Sequence, residues 1–308
     1  MIQKNKILTA IFLLNGLIMF GQINMADSTA QVITYWDKGE KQNYSVAVEK
    51  IKIKDSDTTS RELTTYDVEI TILNSNNKSY TIQWFYKNIT SNSKNPTIQK
   101  LMNIIKDMKV IFKTNELGVF VEVENWKEIK DYIQKATTSL KKDFKDMNGQ
   151  MDKVLNQIEA TYSTKEAIES ASIKDIQQFH TFHGAKYKLG EILEGKLKVQ
   201  NLFGGEPFDS DFSVYLDEIN EPENNYIMRA TQEVNKEQLT NATFDYLTIM
   251  AKNMKIDLPK REDLKDLKNE TLTASRIHGT GWVVYSVQTI TVTSDNVTNI
   301  EERIIEIK

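Results

Sequence analysis

The chain has 308 residues, a formal charge of −4, 40% hydrophobic residues and no cysteine. Its charges are interspersed and not blocked, which argues against a nucleic-acid groove and leaves no polybasic patch for anionic lipid. Without cysteine there is no disulfide, no lipid-bearing N-terminal Cys and no thiol nucleophile, so a hydrophobic core alone must hold the fold.

Lys4 and Lys6 precede an apolar run from Ile7 to Phe20, interrupted by Thr9, Asn15 and Gly16. Gly21 and Gln22 then open a polar, small-residue stretch. This is the pattern of a secretory signal peptide, with cleavage expected after Gly21 and with Ala26 or Ala30 as alternatives. The apolar run falls short of the roughly 20 residues that a spanning helix needs. After processing, the protein is therefore not expected to be integral to a membrane; an uncleaved anchor is the alternative. Removing Met1–Gly21 takes away two lysines and no acid, which brings the charge to −6. Export to the periplasm or the outside, with many Lys, Asn and Ile and no Cys, points to a bacterial envelope protein. Triplets such as Asn43-Tyr44-Ser45 and Asn88-Ile89-Thr90 then carry no meaning as glycan acceptors.

Tyr35-Trp36-Asp37-Lys38-Gly39 reads as a turn into a strand over 43–53, where Tyr44, Val46 and Val48 alternate with polar residues. After a polar turn at 55–59, Tyr66, Val68, Ile70 and Ile72 alternate, and 74–78 makes the next turn. Tyr80, Ile82, Trp84 and Tyr86 line one face of a third strand. Thr97 to Met108 is predicted as a helix with Ile98, Leu101, Ile104 and Met108 on one stripe, followed by a hairpin turning at Glu116-Leu117-Gly118. A second stripe runs from Trp126 through Ile129, Ile133, Ala136, Leu140, Phe144, Met147, Met151 and Val154 to Ile158, with a kink or break expected at Asn148-Gly149. Ser163-Thr164-Lys165-Glu166 matches a capping box and starts another helix, whose buried stripe is Ile168, Ala171/Ser172, Ile176, Phe179 and His183. Strands at 197–202, 212–219 and 226–231 lead to a helix over 236–254. A charged insertion at 257–269 precedes a hairpin of 272–277 with 282–293, and 300–307 closes as an alternating strand.

Lys50-Ile51-Lys52-Ile53 recurs as Lys196-Leu197-Lys198-Val199, and the same shift keeps working downstream. Tyr80 meets Tyr226, Leu101 meets Leu247, and Lys106-Asp107-Met108-Lys109-Val110 falls on Lys252-Asn253-Met254-Lys255-Ile256. Two copies of one strand, helix and hairpin unit are expected. The fold class is then α+β: antiparallel sheets from two related repeats, which share one sheet or form two packed sheets, with a long helical insert packed on the sheet. The expected division is a signal peptide (1–21), a first β-rich repeat (22–124), the helical insert (125–185) and a second β-rich repeat (186–308).

Motifs for chemistry are sparse. His180-Thr181-Phe182-His183 spaces two histidines by three with no Glu between, unlike a zinc-binding His-Glu-x-x-His helix. His183 is expected on the packed stripe, His180 in solvent, and no metal or cofactor is assigned. His278-Gly279-Thr280-Gly281 sits between two strand patterns and reads as a hairpin turn; the Gly-x-Ser-x-Gly elbow of an α/β-hydrolase is missing. Asp209-Ser210-Asp211 lies in an acidic stretch without the EF-hand spacing and reads as a solvated loop. No catalytic residue is assigned. What remains is the apolar supply: Trp84, Tyr86, Phe120, Trp126, Trp282 and Tyr285 are the candidate ligand-binding residues, because rings on both faces of a sheet can line an apolar groove.

Tyr35-Trp36-Asp37-Lys38-Gly39, Gly281-Trp282 and the charged strand Ile300 to Ile307 resemble features of exported bacterial envelope proteins of unknown function. The pattern is also similar to periplasmic lipoprotein-carrier folds, from which the repeat and the long helix at Trp126 depart. That resemblance implies a curved antiparallel sheet around helices, holding acyl chains. The resulting expectation is a non-catalytic envelope protein that binds or carries an apolar or amphipathic ligand such as lipid, with a structural or protein-interaction component of the envelope second and a hydrolase third.

Overall fold

In a computed structural model, residues 22–144, 150–201, 203, 205–254, 256–258, 260–264 and 266–308 are described. The expected signal peptide and the Asn148-Gly149 break lie outside them.

Two short strands, β1 (Ile23–Asn24) and β2 (Thr29–Gln31), precede a long meander of β3 (Lys41–Lys54), β4 (Asp57–Asn76) and β5 (Ser79–Ser91). Helix α1 (Pro96–Met102), extended by a 3-10 turn at Asn103–Ile105, leads to the hairpin β6 (Lys109–Asn115) and β7 (Phe120–Val123). Four helices follow: α2 (Trp126–Asp143), α3 (Gln150–Thr161), α4 (Lys165–Ala171) and α5 (Lys174–His180). Then come β8 (Lys186–Lys188), β9 (Ile192–Val199), β10 (Phe208–Asn220), β11 (Asn225–Val234), α6 (Lys236–Met254), a 3-10 turn at Arg261–Leu264, β12 (Lys268–His278), β13 (Val283–Ser294) and β14 (Val297–Ile307).

Eleven strands form one antiparallel sheet in the order β7-β6-β5-β4-β3-β14-β13-β12-β11-β10-β9, beside a small sheet β1-β2-β8. The joint is long-range: β14 pairs with β3 from Val297↔Lys54 to Ile307↔Tyr44. Side chains alternate across the pleat, so Tyr44 and Val46, then Tyr66, Val68, Ile70 and Ile72, then Ile82, Trp84 and Tyr86 all point to one buried face. The β3–β4 turn is tight because Asp55 and Ser56 both take left-handed conformations, with φ of 50° and 74°. Two left-handed residues match the twist of a hairpin, and a short polar side chain tolerates that region best.

The α+β expectation is corrected by this arrangement. Among the described residues strand (49%) outweighs helix (26%), and the molecule is mostly antiparallel β. Residues 41–123 and 192–294 each run as three strands, a helix and a hairpin, yet they are parts of one continuous sheet. Nor does a long helical insert lie on that sheet. The second stripe is divided between α2 and α3, which pack chiefly on each other. Leu155, not Val154, is buried in α3, while Val154 is 42% exposed. Apolar spacing sets a helix's period, but it fixes neither continuity nor the partner surface.

The short α5 packs on the inner face at β13 and β14. Its Phe179 stands edge-on to Tyr44 and Trp84, with ring centroids 5.5 and 5.6 Å away. Burying one such ring contributes roughly 1.5–3 kcal/mol. Gln178 of α5 donates from Nε2 to the Ser286 hydroxyl of β13 at 2.9 Å. The helix before it starts at Thr164, whose hydroxyl accepts the Ala167 N–H at 3.1 Å, an N-cap one residue past the expected Ser163. One core cluster draws residues from Ala30 to Ile305, across the three expected units that follow residue 21.

Candidate ligand cleft

The six candidate aromatics are not brought to one place. Trp84 (0% exposed), Tyr86 (3%) and Trp282 (4%) lie inside the core, and Phe120 and Trp126 are half-buried against it. Tyr285 is 37% exposed on the opposite face of the sheet, between Arg276 of β12 and Glu306 of β14. Phe85, also on that face, lies beneath the ammonium groups of Lys87 and Lys109 at 4.7 and 5.0 Å. Lysine stems over a ring keep it from forming an open apolar floor.

Both histidines of the 180–183 pair are buried, which corrects the expectation that His180 is solvated. The two rings are 5.0 Å apart. His180 Nδ1 meets the Gly118 carbonyl at 2.8 Å and His183 Nε2 meets the Gly281 carbonyl at 2.9 Å. A carbonyl only accepts, so each of these nitrogens carries its hydrogen. Burial holds His180 well below its ordinary value and lowers His183 to about 4, so both are neutral near pH 7. They pin the end of α5 to the β6–β7 and β12–β13 turns. Among the described residues, no group of three or more His, Cys, Asp or Glu side chains stands where it could hold a metal. Asp209 and Asp211 instead pair with Lys198 and Lys196 across the β9–β10 ladder, at 2.7 and 2.6 Å.

A buried polar group that the sequence reading missed is Asp175 of α5. It is 4% exposed and accepts hydrogen bonds from the Tyr86 and Tyr66 hydroxyls at 3.0 and 3.2 Å. Burial raises its carboxyl above the ordinary range, while the Arg303 guanidinium and the Tyr86 and Tyr66 hydroxyls pull the other way. Arg303 is itself buried and donates from Nη2 to Glu301 at 2.8 Å. Closed within the core, this network serves structure.

Open apolar surface lies elsewhere, on α6. Its sheet-facing side supplies Leu239 and Ala242 to a second core cluster with Phe208, Val234 and Leu267. Its other side carries Tyr246 (41% exposed), Ile249 (60%), Met250 (37%) and Met254 (61%), and beyond the helix Ile256 and Leu258 are also exposed. Spacings of three and four put these side chains on one stripe. At the stripe's start, Phe203 packs on Tyr246 with ring centroids 5.0 Å apart. Beside them opens a cleft of about 490 Å³, whose apolar lining includes both rings with Phe208, Ala242 and Ile249. Asn201, Glu206, Gln238, Asn241 and Asp245 form its polar rim. Gln238 is held by Asp209 through both amide atoms, at 2.6 and 2.7 Å, and Arg261 donates to Asn241. An apolar floor with a few fixed polar groups is the build of a small-molecule site.

No protein-family model matches the chain, and no curated protein matches it. Among solved structures, the chain is similar to a lipovitellin chain from a structure described as "lipid-protein interactions in lipovitellin". The TM-score is 0.42 and the identity 10%, over 89% of this chain and 25% of that one.

Proposed function

We propose that this is an exported, non-catalytic envelope protein that binds the apolar part of an amphipathic ligand, such as a lipid, in the cleft beside α6. The supporting observation is the unbroken run of exposed large apolar side chains from Phe203 through Tyr246, Ile249, Met250 and Met254. Large contiguous apolar patches are rare on soluble proteins unless something covers them. The cleft receives the hydrocarbon, and the amides of the rim meet the polar end. Two acids on the rim, Glu206 and Asp245, favour a neutral or cationic head over an anionic one. Export rests on Lys4, Lys6 and the apolar run to Phe20.

The test is titration with a fluorescent long-chain alkylamine, with mass spectrometry of the native protein for lipid that copurifies. Binding is expected to weaken at least tenfold in Ile249→Ser and in Tyr246→Ala, with the unfolding midpoint unchanged. Equal binding by both variants, or none by the parent protein, overturns the reading. For export, the protein is expected outside the cytoplasm of an expressing bacterium and inside it once residues 2–21 are deleted.

A further inference from the structure

The two ends of the large sheet are finished differently. β7 has four residues and is covered by α4: Glu169 accepts the Val123 N–H at 2.7 Å, and Lys165 pairs with Glu122. β9 has eight residues, all exposed from Ile192 to Lys198, and among the described residues it pairs only with β10. A free edge of that length offers a row of backbone donors and acceptors to another strand.

The sequence of β9 complements itself. Let two copies pair antiparallel about a two-fold axis through Gly195. Glu194 then faces the partner's Lys196, Leu193 faces the partner's Leu197, and the symmetry makes each pair twice. Ile192 meets the aliphatic stem of the partner's Lys198. Moving the axis one residue either way sets Glu194 or Lys196 against its own copy, and like charges directly opposite destabilise a sheet. Gly195, on the axis, has no side chain to hold the backbones apart. Lysines on an edge strand ordinarily discourage pairing, but here Glu194, which makes no ion pair among the described residues, supplies the countercharge. Lys196, already 2.6 Å from Asp211, would stand between two carboxylates. The geometry points to β9 as a homodimerisation strand, joining two copies through one continuous sheet and removing Leu193 and Leu197 from water. This surface is separate from the ligand cleft and does not depend on its reading.

One strand pair is a small interface beside the roughly 1,200–2,000 Å² of stable complexes, so a weak dimer is expected. Sedimentation velocity on the purified protein from about 1 to about 500 µM reads it, a range that brackets micromolar affinity. The parent chain should shift from monomer to dimer with concentration. Glu194→Lys alone and Lys196→Glu alone should each weaken the dimer at least tenfold, while an equimolar mixture of the two should restore it, because each supplies the charge the other lacks. Circular dichroism confirms the fold of each variant; if Lys196→Glu fails to fold, Glu194→Lys alone still carries the repulsion test, with Glu194→Gln expected to weaken the dimer less. A parent that stays monomeric, single variants that dimerise as the parent does, or a charge exchange that restores nothing would each overturn the proposal.

Discussion

Trp282 stacks on Trp36, with ring centroids 4.3 Å apart and planes 24° from parallel. Trp36 lies just ahead of β3 and Trp282 just ahead of β13, so the pair clamps segments from opposite ends of the chain. The Trp282 Nε1 also donates to the Glu40 carboxylate at 2.6 Å. Trp282→Ala is expected to cost about 3–5 kcal/mol through the cavity it leaves. Trp282→Phe keeps a ring in the stack and should lose about 1.5–3 kcal/mol with the charge-assisted bond. Urea unfolding followed by circular dichroism separates them; equal losses would mean that the stack contributes nothing.

Gly281 and Gly39 have similar backbones, with φ of 86° and 88°, but different surroundings. A Cβ on Gly281 would fall 2.3 Å from the Ile33 carbonyl oxygen and 3.0 Å from the Thr34 Cα, whereas one on Gly39 meets nothing within 4 Å. Gly39→Ala should cost only the left-handed strain, about 1–2 kcal/mol. Gly281→Ala adds a clash with backbone and should cost more than about 3 kcal/mol. Thermal melts of the two variants decide this, and a Gly281→Ala melt no lower than that of Gly39→Ala would contradict the packing described.

Acid should weaken the fold through the buried histidines. Unfolded, the His183 ring takes a proton below about its ordinary 6.5; folded, it stays neutral down to about 4. The unfolded state therefore binds more protons in that window, and stability falls as pH drops through it. At about 1.4 kcal/mol per pH unit, roughly 3 kcal/mol is tied to this ring. His183→Gln keeps a donor for Gly281 and should flatten the decline between about pH 7 and pH 4 by that order. His180, lowered in the same direction, leaves part of the slope in place. Denaturant titrations at several pH values give the comparison, and parallel profiles for the two proteins would exclude the assignment.

Asp175→Ala should be among the most damaging single changes. It strands the Tyr66 and Tyr86 hydroxyls and removes the negative charge beside Arg303, for which a loss of about 3–5 kcal/mol is typical. Asp175→Asn keeps an acceptor for the hydroxyls and should cost less. A double-mutant cycle with Tyr86→Phe is expected to show coupling of about 1 kcal/mol or more. Strict additivity would mean that the 3.0 Å bond adds nothing.

Much of the sheet was legible because alternation is a local signal. Tyr66, Val68, Ile70 and Ile72 read as one face and are one buried face, and His278 to Gly281 reads as a turn and joins β12 to β13. The continuity of the sheet was not legible, since the β14–β3 ladder joins opposite ends of the chain and leaves no nearby mark. The helical stripe misled at Val154 because Leu155 is placed equally well between Met151 and Ile158, and it is Leu155 that faces the core. Asp175 carries no mark in the sequence, for its tyrosine partners lie 89 and 109 positions away. The cleft escaped for a related reason: α6 is apolar on two sides, and a sequence does not say which of them a sheet will cover.

β14, which follows β13 in the chain, is inserted between β3 and β13 in the middle of the sheet. Until those eleven residues are made, β3 and β13 each expose an edge, and the two halves lack the ladder that makes them one sheet. Closure of the sheet therefore waits on this one strand, and a chain stopped short of Val297 would display two sticky borders where the intact molecule has a closed seam.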